Sequence, residues 1–532
     1  MNRKKSAKRN AMRNIYFKQA LIFLVVFNFC DKVVIGQVKI PDLKYTLSFP
    51  TAETNSYLVE LSCNFWSIDS IELKLPRWMP GYYQLMDYSK SIENIQASDS
   101  DKKNLSVIHP NDHTWVIKGV KNKAFKISYK VKTFRKFVAN SFVDSAHAYI
   151  VPENSFLYIP GKLSIPVTVS VVLNNKDFTV ATGLDPVKGK TNTFEAKDFD
   201  ILYDCPLLIG KLEALPSFYL NGIEHAFIGY NIGQFDRVLF MDNLKKIVSS
   251  SVGIINDIPY KKYTFIAIGP GRGGIEHLNN TTISFDGNGL NNEAGMNRMM
   301  NFIAHEYFHH FNVKRIRPME LGPFNYEMGN RTNQLWISEG LTVYYEYLVV
   351  KRAGLMDAKM LLSFLSNNIN SVENNPGRFF QSLQQASYST WSDGPFGTQG
   401  KEPGKSISYY EKGPIIGLLL DFEIRKSTNN TKSLDDVMRL LYDKYYKFEK
   451  RGFTEAEFQV SCEQIAGVSL SEFFEYVYTT KALDYEKHLV HAGLKMEKIK
   501  SKEGDNIFKH TISKIDQPSP LQQAIYSSWV GE

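Results

Sequence analysis

The stretch "NFIAHEYFHHFNVKRIRP", residues 301–318, places two histidines four positions apart with a glutamate directly after the first. Positions i and i+4 share one face of an α-helix, so His305 and His309 can direct their imidazoles to one point, with Glu306 at its flank. Apolar residues follow a helical spacing on the opposite face: Met300, Ile303, Tyr307 and Phe311. The pattern predicts a metal-binding helix, with two ordinary core or surface histidines as the alternative.

A catalytic zinc needs three protein ligands and one open position, so a third ligand is required. Glu339 lies in "NQLWISEGLTVYYEYL" (333–348), where apolar residues recur at helical intervals, and it could project from a second helix toward the first. Glu320 and Glu327 are nearer to the histidines, but their segment is rich in turn residues. We therefore predict Glu339 as the third ligand.

Glu346 lies two helical turns beyond Glu339 and falls on about the same face of the predicted helix. A zinc-bound histidine usually donates its other ring N–H to a carboxylate, which fixes the orientation of the ring. Glu346 is the candidate for that carboxylate. A solvated glutamate on the helix surface is the alternative.

Tyr410 is the candidate for stabilising negative charge during the reaction. It lies in "SISYYEKGP" (406–414), at the start of a predicted helix. A phenol at this position could donate a hydrogen bond to the oxyanion of a tetrahedral intermediate. Considered alone, a tyrosine of this kind is more often a packed aromatic residue.

The segment "GPGRGGIEHL" (269–278) follows a strand-like run and carries candidate substrate-binding residues. Gly273 and Gly274 permit close approach of the backbone to a substrate, because they have no side chain. Glu276 adds a carboxylate beside them. A surface acid is the alternative interpretation of Glu276.

The composition of the 532-residue chain, with 43% apolar and 22% charged residues, is typical of a folded, soluble protein. The formal net charge is +8, but residues 1–36 contain eight basic residues against the single Asp31, which accounts for +7 of it. The remaining charge is too small to indicate a nucleic-acid-binding surface.

Residues 1–36 are predicted to be a signal peptide. A basic segment precedes "ALIFLVVFNF" (20–29), an apolar run too short to span a bilayer. Cleavage after Gly36 is expected, with lipidation at Cys30 or an uncleaved anchor as alternatives. We therefore expect export to the periplasm or the extracellular space, with membrane contact only through an uncleaved or lipidated leader.

The cysteines that follow this leader are Cys63, Cys205 and Cys462. Three widely separated cysteines do not make a disulfide framework, and none of them has a Cys-x-x-Cys zinc spacing. Stability must therefore come from hydrophobic cores, and at most one bridge is allowed.

Hydrophobic patterning predicts an α+β multidomain protein. Residues 38–210 contain short, alternating, β-branched segments between turn residues, which predicts an N-terminal antiparallel β-domain. Residues 211–485 start as a mixed region, become mainly helical and include a Gly- and Pro-rich surface loop at 393–406. Residues 486–532 are predicted as a C-terminal tail. The predicted helices cover 296–313, 335–353, 357–371, 411–426, 433–447, 454–466 and 470–480.

In their relative order, the site motifs resemble the glycyl aminopeptidase family (metallopeptidase family 61, of the gluzincin group). The similar segments are "GGIEH" (273–277), "HEYFHHFNVKRIRP" (305–318), "WISEGLTVYYEYL" (336–348) and "YYEKG" (409–413). "PRWMPGYY" (76–83) looks like a turn of that family's N-terminal β-domain, and "YDCPLLIG" (203–210) is similar to its domain junction. The resemblance spans most of residues 44–495.

The resemblance implies a thermolysin-like catalytic domain with one Zn²⁺ per chain. The zinc ligands that it implies are His305, His309 and Glu339. Glu306 would be the general base, Tyr410 would stabilise the oxyanion, and Glu276 matches the glutamate that holds the free α-amine of the substrate in related aminopeptidases. The implied activity is removal of N-terminal residues from peptides, and the family suggests small ones, Gly or Ala.

Other parts of the resemblance carry no derived role. Asn312, Lys314 and Arg315 match the family's Asn-Val-Lys-Arg run. Many family members continue into a PDZ-like domain, and "FKHTISKIDQPSPLQQA" (508–524) is similar only to the start of one.

Two other functions compete with the aminopeptidase. One is a zinc endopeptidase in which Glu276 does not bind an amine, and the other is a secreted, non-catalytic binding protein with structural zinc. N-terminally blocked peptides would separate the two enzymes, while a structural site has no use for Glu306 or Tyr410. The expected partners are peptides with a free N-terminus, not nucleic acids.

Overall fold

The structure, a computed structural model, describes residues 41–50, 55–500 and 508–532. The predicted signal peptide, residues 1–36, lies outside the described residues. Within the described ranges, no helix combines the length and apolar character that crossing a membrane requires. The three cysteines in these ranges are buried and free: Cys63, Cys205 and Cys462.

The N-terminal part consists mainly of β-strands because its side chains alternate between buried apolar and exposed polar residues. One short helix, α1 (Phe199–Tyr203), interrupts the strands. The strands are β1 (Leu43–Ser48), β2 (Ser56–Cys63), β3 (Ser70–Lys74), β4 (Ile92–Asp99), β5 (Ser106–Asn111), β6 (Thr114–Lys118), β7 (Phe125–Lys132), β8 (Phe142–Val143), β9 (His147–Ile150), β10 (Val167–Val172), β11 (Thr179–Thr182), β12 (Asp185–Pro186), β13 (Thr193–Ala196) and β14 (Leu207–Gly210).

These strands form three sheets around a shared core. Their orders are β12-β13-β10-β1-β2-β7-β4, β3-β6-β5 and β11-β14-β9-β8. Tyr45, Ile117 and Ile209, one from each sheet, belong to the same buried apolar cluster. Pairing is antiparallel except between β1 and β10, which run parallel. Parallel strands cannot be joined by a tight hairpin, and here the chain between β1 and β10 is long enough to bring them together in parallel.

A fourth, mixed sheet follows in the chain. Its strands are β15 (Glu213–Ala214), β16 (Phe218–Leu220), β17 (Ile223–Gly229), β18 (Lys262–Ala267), β19 (Gly274–Glu276) and β20 (Asn280–Ile283). β17, β18 and β20 are parallel, and helix α2 (Arg237–Ile255) supplies the crossover between β17 and β18 that parallel pairing needs. The edge strand β19 runs antiparallel to β20.

The remaining part is mainly helical, so the predicted fold class is confirmed. The helices are α3 (Glu293–Phe308), α4 (Leu341–Arg352), α5 (Ala358–Glu373), α6 (Leu383–Asp393), α7 (Tyr409–Ser427), α8 (Leu434–Leu441), α9 (Glu455–Ala466), α10 (Ser471–Tyr478) and α11 (Tyr485–Leu489). Short 3₁₀ turns cover Tyr88–Ser91, Pro152–Asn154, Gly287–Leu290, Met319–Leu321, Pro376–Phe379 and Val490–Ala492.

Several helix bounds differ from the predicted ones. The helix predicted at 296–313 ends earlier, at Phe308, and it could not have continued through Val313, whose φ is 137°. The helices predicted at 335–353 and 433–447 contain π-helical segments, Trp336–Gly340 and Tyr442–Glu449. Helices α1, α2, α6, α11 and α12 were not predicted. α6 is rich in Ser, Gln and Thr, so its apolar periodicity is weak.

The segment predicted as a C-terminal tail, 486–532, contains a hairpin of β21 (Leu494–Lys500) and β22 (Phe508–Lys514), followed by helix α12 (Pro520–Val530). Both pack on the helical part. The backbone N–H of Ile512 donates to Ser366 Oγ at 3.0 Å. The fully buried Trp529 donates from Nε1 to the Tyr344 hydroxyl, also at 3.0 Å.

Candidate active site

Three predicted ligand side chains meet at the end of helix α3. His305 occupies its last turn, His309 follows directly, and Glu339 comes from the π-helical segment before α4. His309 Nε2 lies 2.9 Å from His305 Nε2 and 3.2 Å from Glu339 Oε2, and the third separation, His305 Nε2 to Glu339 Oε2, is 3.7 Å. Ligand atoms of a tetrahedral zinc lie about 3.3 Å apart, given bond lengths near 2.0–2.1 Å, so the set fits this metal.

The charge of the three groups also fits a cation. Burial lowers the pKa of His305, but its hydrogen bonds to Glu339 and Glu346 raise the pKa well above the usual value for an imidazole. Burial acts to raise the pKa of Glu339, yet His309 and His305 hold it far below its usual range. Buried carboxylates thus draw positive charge to the imidazole nitrogens, and a divalent cation would replace the protons there.

The ring of His305 is oriented by Glu346. Nδ1 of His305 lies 2.8 Å from Glu346 Oε2, and the same ring presents Nε2 to His309 and Glu339. A hydrogen bond at Nδ1 leaves the Nε2 lone pair for a metal, so Glu346 is positioned to fix both tautomer and direction. The Glu346 side chain is largely buried, unlike the solvated glutamate of the alternative.

The ring of His309 is oriented by the backbone instead. Its Nδ1 donates to the carbonyl oxygen of Asn312 at 2.8 Å. The Asn312 side-chain amide in turn donates to the carbonyl of Ile337 at 2.7 Å and to Thr342 Oγ1 at 3.0 Å. Asn312 therefore ties His309 to the π-helical segment that carries Glu339. The family motif marked Asn312, but only the fold reveals this contact.

Glu306 projects into the cavity beside the three ligands. Its side chain is buried, and Oε2 has no hydrogen-bond partner among the described residues. Burial raises the pKa of Glu306 to about 7, despite the opposing effect of His305 and His309. A carboxylate whose pKa is close to neutrality can both accept and return a proton, which a general base requires.

Glycine is needed at the two predicted positions, 273 and 274, for different structural reasons. A methyl group at Gly274 would lie 2.5 Å from Cδ of Glu306, so only glycine leaves space for this carboxyl group. Gly273 has a φ of +89°, in the region that other residues rarely adopt. Both contribute to the wall of the cavity, where Gly274 begins the edge strand β19.

Tyr410 lies at the start of α7 and reaches the ligand cluster. Its hydroxyl donates to Glu339 Oε2 at 2.8 Å, and its ring stacks near that of His305, with 6.1 Å between centroids. Burial and the neighbouring Glu339 raise the pKa of this phenol well above its usual value, so it stays a hydrogen-bond donor.

A cavity of about 610 Å³ opens in front of these residues. His305, Glu306, Glu346 and Tyr410 contribute its polar side, and aromatic and aliphatic side chains form most of the remainder. The apolar part includes Phe137, Val138, Phe302, Val343, Tyr347, Phe364 and Phe396. A concave apolar cavity with a few convergent polar groups is typical of a small-molecule or peptide site.

The N-terminal β-rich part contributes Tyr83 to this cavity, from the segment "PRWMPGYY" (76–83). Its side chain is buried, and burial together with the carboxylates of Glu339 and Glu276 raises the pKa of its phenol well above the usual value. Sequence reasoning did not assign Tyr83 to the site, since nothing local in this segment indicates which residue it faces.

Glu276 does not line the large cavity. Its carboxylate borders a second cavity of about 100 Å³, which shares Gly81 and Tyr83 with the large one. A Cβ at Gly81, whose φ is +94°, would lie 2.7 Å from Glu276 Oε2, so the carboxylate abuts the Gly81 backbone. Lys314 lines the same small cavity. The structure thus places Glu276 one layer away from the cluster of His305, His309 and Glu339.

Lys314 and Arg315, which the motif marked without a role, support this layer. Lys314 Nζ forms a buried ion pair with Asp204 at 2.6 Å, and Asp204 Oδ2 accepts from the backbone N–H of Leu278 at 2.7 Å. Nη1 of Arg315 donates to the carbonyls of Leu278 and His310, at 2.9 Å and 2.7 Å. The side chains of Lys314 and Arg315 therefore link the segment just after β19, at Leu278, to the turn after helix α3.

Comparisons with known proteins find two peptidase family models in the chain. Residues 44–211 match a family model for the peptidase M61 N-terminal domain, and residues 298–416 match one for M61 glycyl aminopeptidase. A crystal structure of an aminopeptidase N family protein from Idiomarina loihiensis is similar at 26% identity and a TM-score of 0.81, covering 86% of this chain and 79% of that one. No curated protein matches the chain.

A more distant similarity concerns the fold alone. An M1 zinc metallopeptidase from Deinococcus radiodurans, in a mutant form with a bound Tyr-Ser-Ala substrate, superposes with a TM-score of 0.50 at 13% identity. The match covers 84% of this chain and 94% of that protein.

Proposed function

Because this chain belongs to the M61 glycyl aminopeptidase family and is a peptidase, we propose that it is a zinc-dependent aminopeptidase. The observation that carries the proposal is the convergence of three ligand atoms, from His305, His309 and Glu339, within 4.8 Å of one another. Beside them stands Glu306, buried and partly unpaired. We propose one catalytic zinc per chain at this position.

The residues around the cluster have distinct chemical tasks in this proposal. Bound zinc would supply Lewis acidity toward a carbonyl and lower the pKa of a water molecule toward neutrality. Glu306 accepts the proton of the attacking water and later delivers it to the leaving amine. The Tyr410 hydroxyl turns from Glu339 to the oxygen of the scissile carbonyl as negative charge develops there.

We assign the selection of a free N-terminus to Glu276, which borders the small cavity next to the one that holds the proposed catalytic groups. Its carboxylate borders the small cavity that adjoins the large one at Gly81 and Tyr83. A protonated α-amine that reaches this cavity would gain a charge-assisted hydrogen bond. Following the family, the proposed substrates are peptides with a small N-terminal residue, Gly or Ala. Following the signal-like leader, the proposed location is outside the cytoplasm.

Hydrolysis of Gly- and Ala-arylamides by the purified protein tests the proposal, with N-acetylated forms of the same substrates run in parallel. Cleavage of the free amines alone, abolished by a chelator and restored by zinc, is the expected result. Equal cleavage of blocked and free substrates would identify an endopeptidase instead. If zinc-loaded protein cleaved neither, the enzyme proposal would be wrong.

The role of Glu276 needs its own variant, since the residue does not touch the metal ligands in the structure. Glu276→Gln should raise KM for free amines at least tenfold, because an amide cannot balance the ammonium charge. Glu224→Gln is the control. Glu224 lies on β17 of the same sheet, but it pairs with Lys262 and does not line either cavity. An unchanged KM in Glu276→Gln would remove Glu276 from substrate binding.

A further inference from the structure

A second cluster of two histidines and one glutamate lies outside the site described above. Glu423 on helix α7 faces His488 on α11 and His491 in the following 3₁₀ turn. Glu423 Oε1 lies 2.5 Å from His488 Nδ1 and 3.0 Å from His491 Nε2. Within the described residues, this cluster and the one at His305 are the two groups with metal-ligand spacing.

We propose that Glu423, His488 and His491 form a second binding site, for a divalent transition cation of the zinc class. The donor set, two imidazole nitrogens and one carboxylate oxygen, is the same as in the catalytic cluster and suits zinc. The two histidines are spaced His-x-x-His, so both rings emerge on one side of a short turn.

The distances are compatible with an ion after a small adjustment. The separations from Glu423 Oε1, 2.5 Å and 3.0 Å, would each grow by less than about 1 Å in tetrahedral coordination, and all three ligand atoms already lie within 4.8 Å of one another. The side chains of Glu423 and His491 are 18% and 16% exposed, so they have room to move and leave an outer position for water. His488 is only 2% exposed and would be the fixed ligand.

The surroundings of His488 leave Nδ1 as the ring nitrogen that can meet a cation. Its Nε2 is buried without a hydrogen-bond partner among the described residues. The ring meets Phe473 and Tyr476 nearly at right angles, at centroid distances of 5.4 Å and 5.7 Å. With the ring hydrogen on Nε2, a neutral imidazole carries its lone pair on Nδ1. That lone pair points toward Glu423, and a metal ion would lie between Nδ1 and the Glu423 carboxylate.

An ion at this position would join segments that are distant in the chain. Glu423 and its two partners are separated by 65 and 68 positions. Helix α7 carries Tyr410 at its beginning, and α11 leads into the hairpin of β21 and β22. The second ion is therefore assigned a structural role, holding the C-terminal segment on helix α7 without contact to substrate.

Metal analysis of the full protein, after zinc loading and exhaustive dialysis, tests this site. The parent should retain about two zinc ions per chain, and His491→Ala about one, because one ligand set is broken. His113→Ala is the matched control: His113 also pairs with a glutamate, Glu327, and is equally exposed at 16%, but among the described residues it belongs to no group with metal-ligand spacing. It should retain about two.

Peptidase activity and thermal unfolding provide an independent readout. His491→Ala should keep the parent's activity on Ala-arylamide but lose the increase in Tm that a second equivalent of zinc gives the parent. Glu423→Gln should behave in the same way, which guards against a folding defect in one variant. A parent that binds one zinc, lost only in His309→Ala, overturns the proposal. So does a His491→Ala variant that still binds two, since the second ion would then lie elsewhere.

Discussion

Glu346 Oε2 lies 2.8 Å from Nδ1 of His305, and this contact leaves Nε2 of the same ring directed at the other two candidate ligands. The carboxylate comes from helix α4 and the imidazole from helix α3, so the contact also joins the two helices that carry the cluster.

Glu346→Gln should weaken zinc binding by about 10- to 100-fold, because the amide is a poorer partner for the Nδ1 proton and can present its NH₂ instead. Competition with a chelator of known affinity measures this change. Glu293→Gln, at the exposed start of helix α3, is the control and should bind zinc like the parent. Equal affinity of Glu346→Gln and the parent would show that ring orientation does not depend on this carboxylate.

Glu306→Gln should retain zinc but lose about 10²- to 10⁴-fold in kcat, since an amide cannot accept the proton of the attacking water. Activity on Ala-arylamide and metal content, measured on the same sample, check this result. The substitution keeps the shape of the side chain beside Gly274, so folding should be unaffected. Residual activity near that of the parent would assign the proton transfer to another group.

Tyr410→Phe should lower kcat by about 10²- to 10³-fold while KM changes little, because we propose that its hydroxyl acts on charge that develops only in the transition state. Tyr409→Phe is a close control: Tyr409 is the neighbouring residue, it is also buried, and its hydroxyl pairs with Thr390 at 2.9 Å instead of with Glu339. Steady-state kinetics of the two variants should differ clearly. Similar kcat values in both would contradict a role for Tyr410 in the reaction.

Gly274→Ala should inactivate the enzyme with little loss of secondary structure. The new methyl group would lie 2.5 Å from Glu306 Cδ, so the carboxyl group must move away from its position. Gly253→Ala, inside helix α2 and with no atom within 4 Å of the added methyl, should be fully active. Circular dichroism and arylamide hydrolysis measure the two effects. An active Gly274→Ala enzyme would mean that Glu306 tolerates displacement.

Asp204 should make stability depend on pH at the acid end. Burial acts to raise its pKa, but Lys314 and His277 lower it to about 2. A depressed pKa contributes stability above the unfolded pKa, about 2 kcal/mol here, and this contribution disappears as the pH falls from 4 through 2. Urea unfolding across this range should show the loss in the parent and its absence in Asp204→Asn. That variant should already be less stable at neutral pH, since Lys314 is left buried and unpaired.

Much of the fold followed from local patterns. Period-two alternation identified the N-terminal β-domain, and period-3.6 spacing identified most helices, because each pattern reflects one buried face. Helix α6 was missed because half of its buried residues are polar, namely Ser387 and Thr390. The π-helical segment at Trp336–Gly340 was missed because its sequence differs little from that of an α-helix.

The sequence by itself determined that two imidazoles of the candidate site lie together. The spacing of His305 and His309 sets two imidazoles on one helical face, and this relation is local, so it needs no knowledge of the fold. The tertiary structure alone decided which groups surround them: the Asn312 carbonyl at His309, Tyr83 from the β-rich part, and Glu276 behind Gly81. These contacts join residues from different elements, and packing of the whole chain, not local periodicity, brings them together.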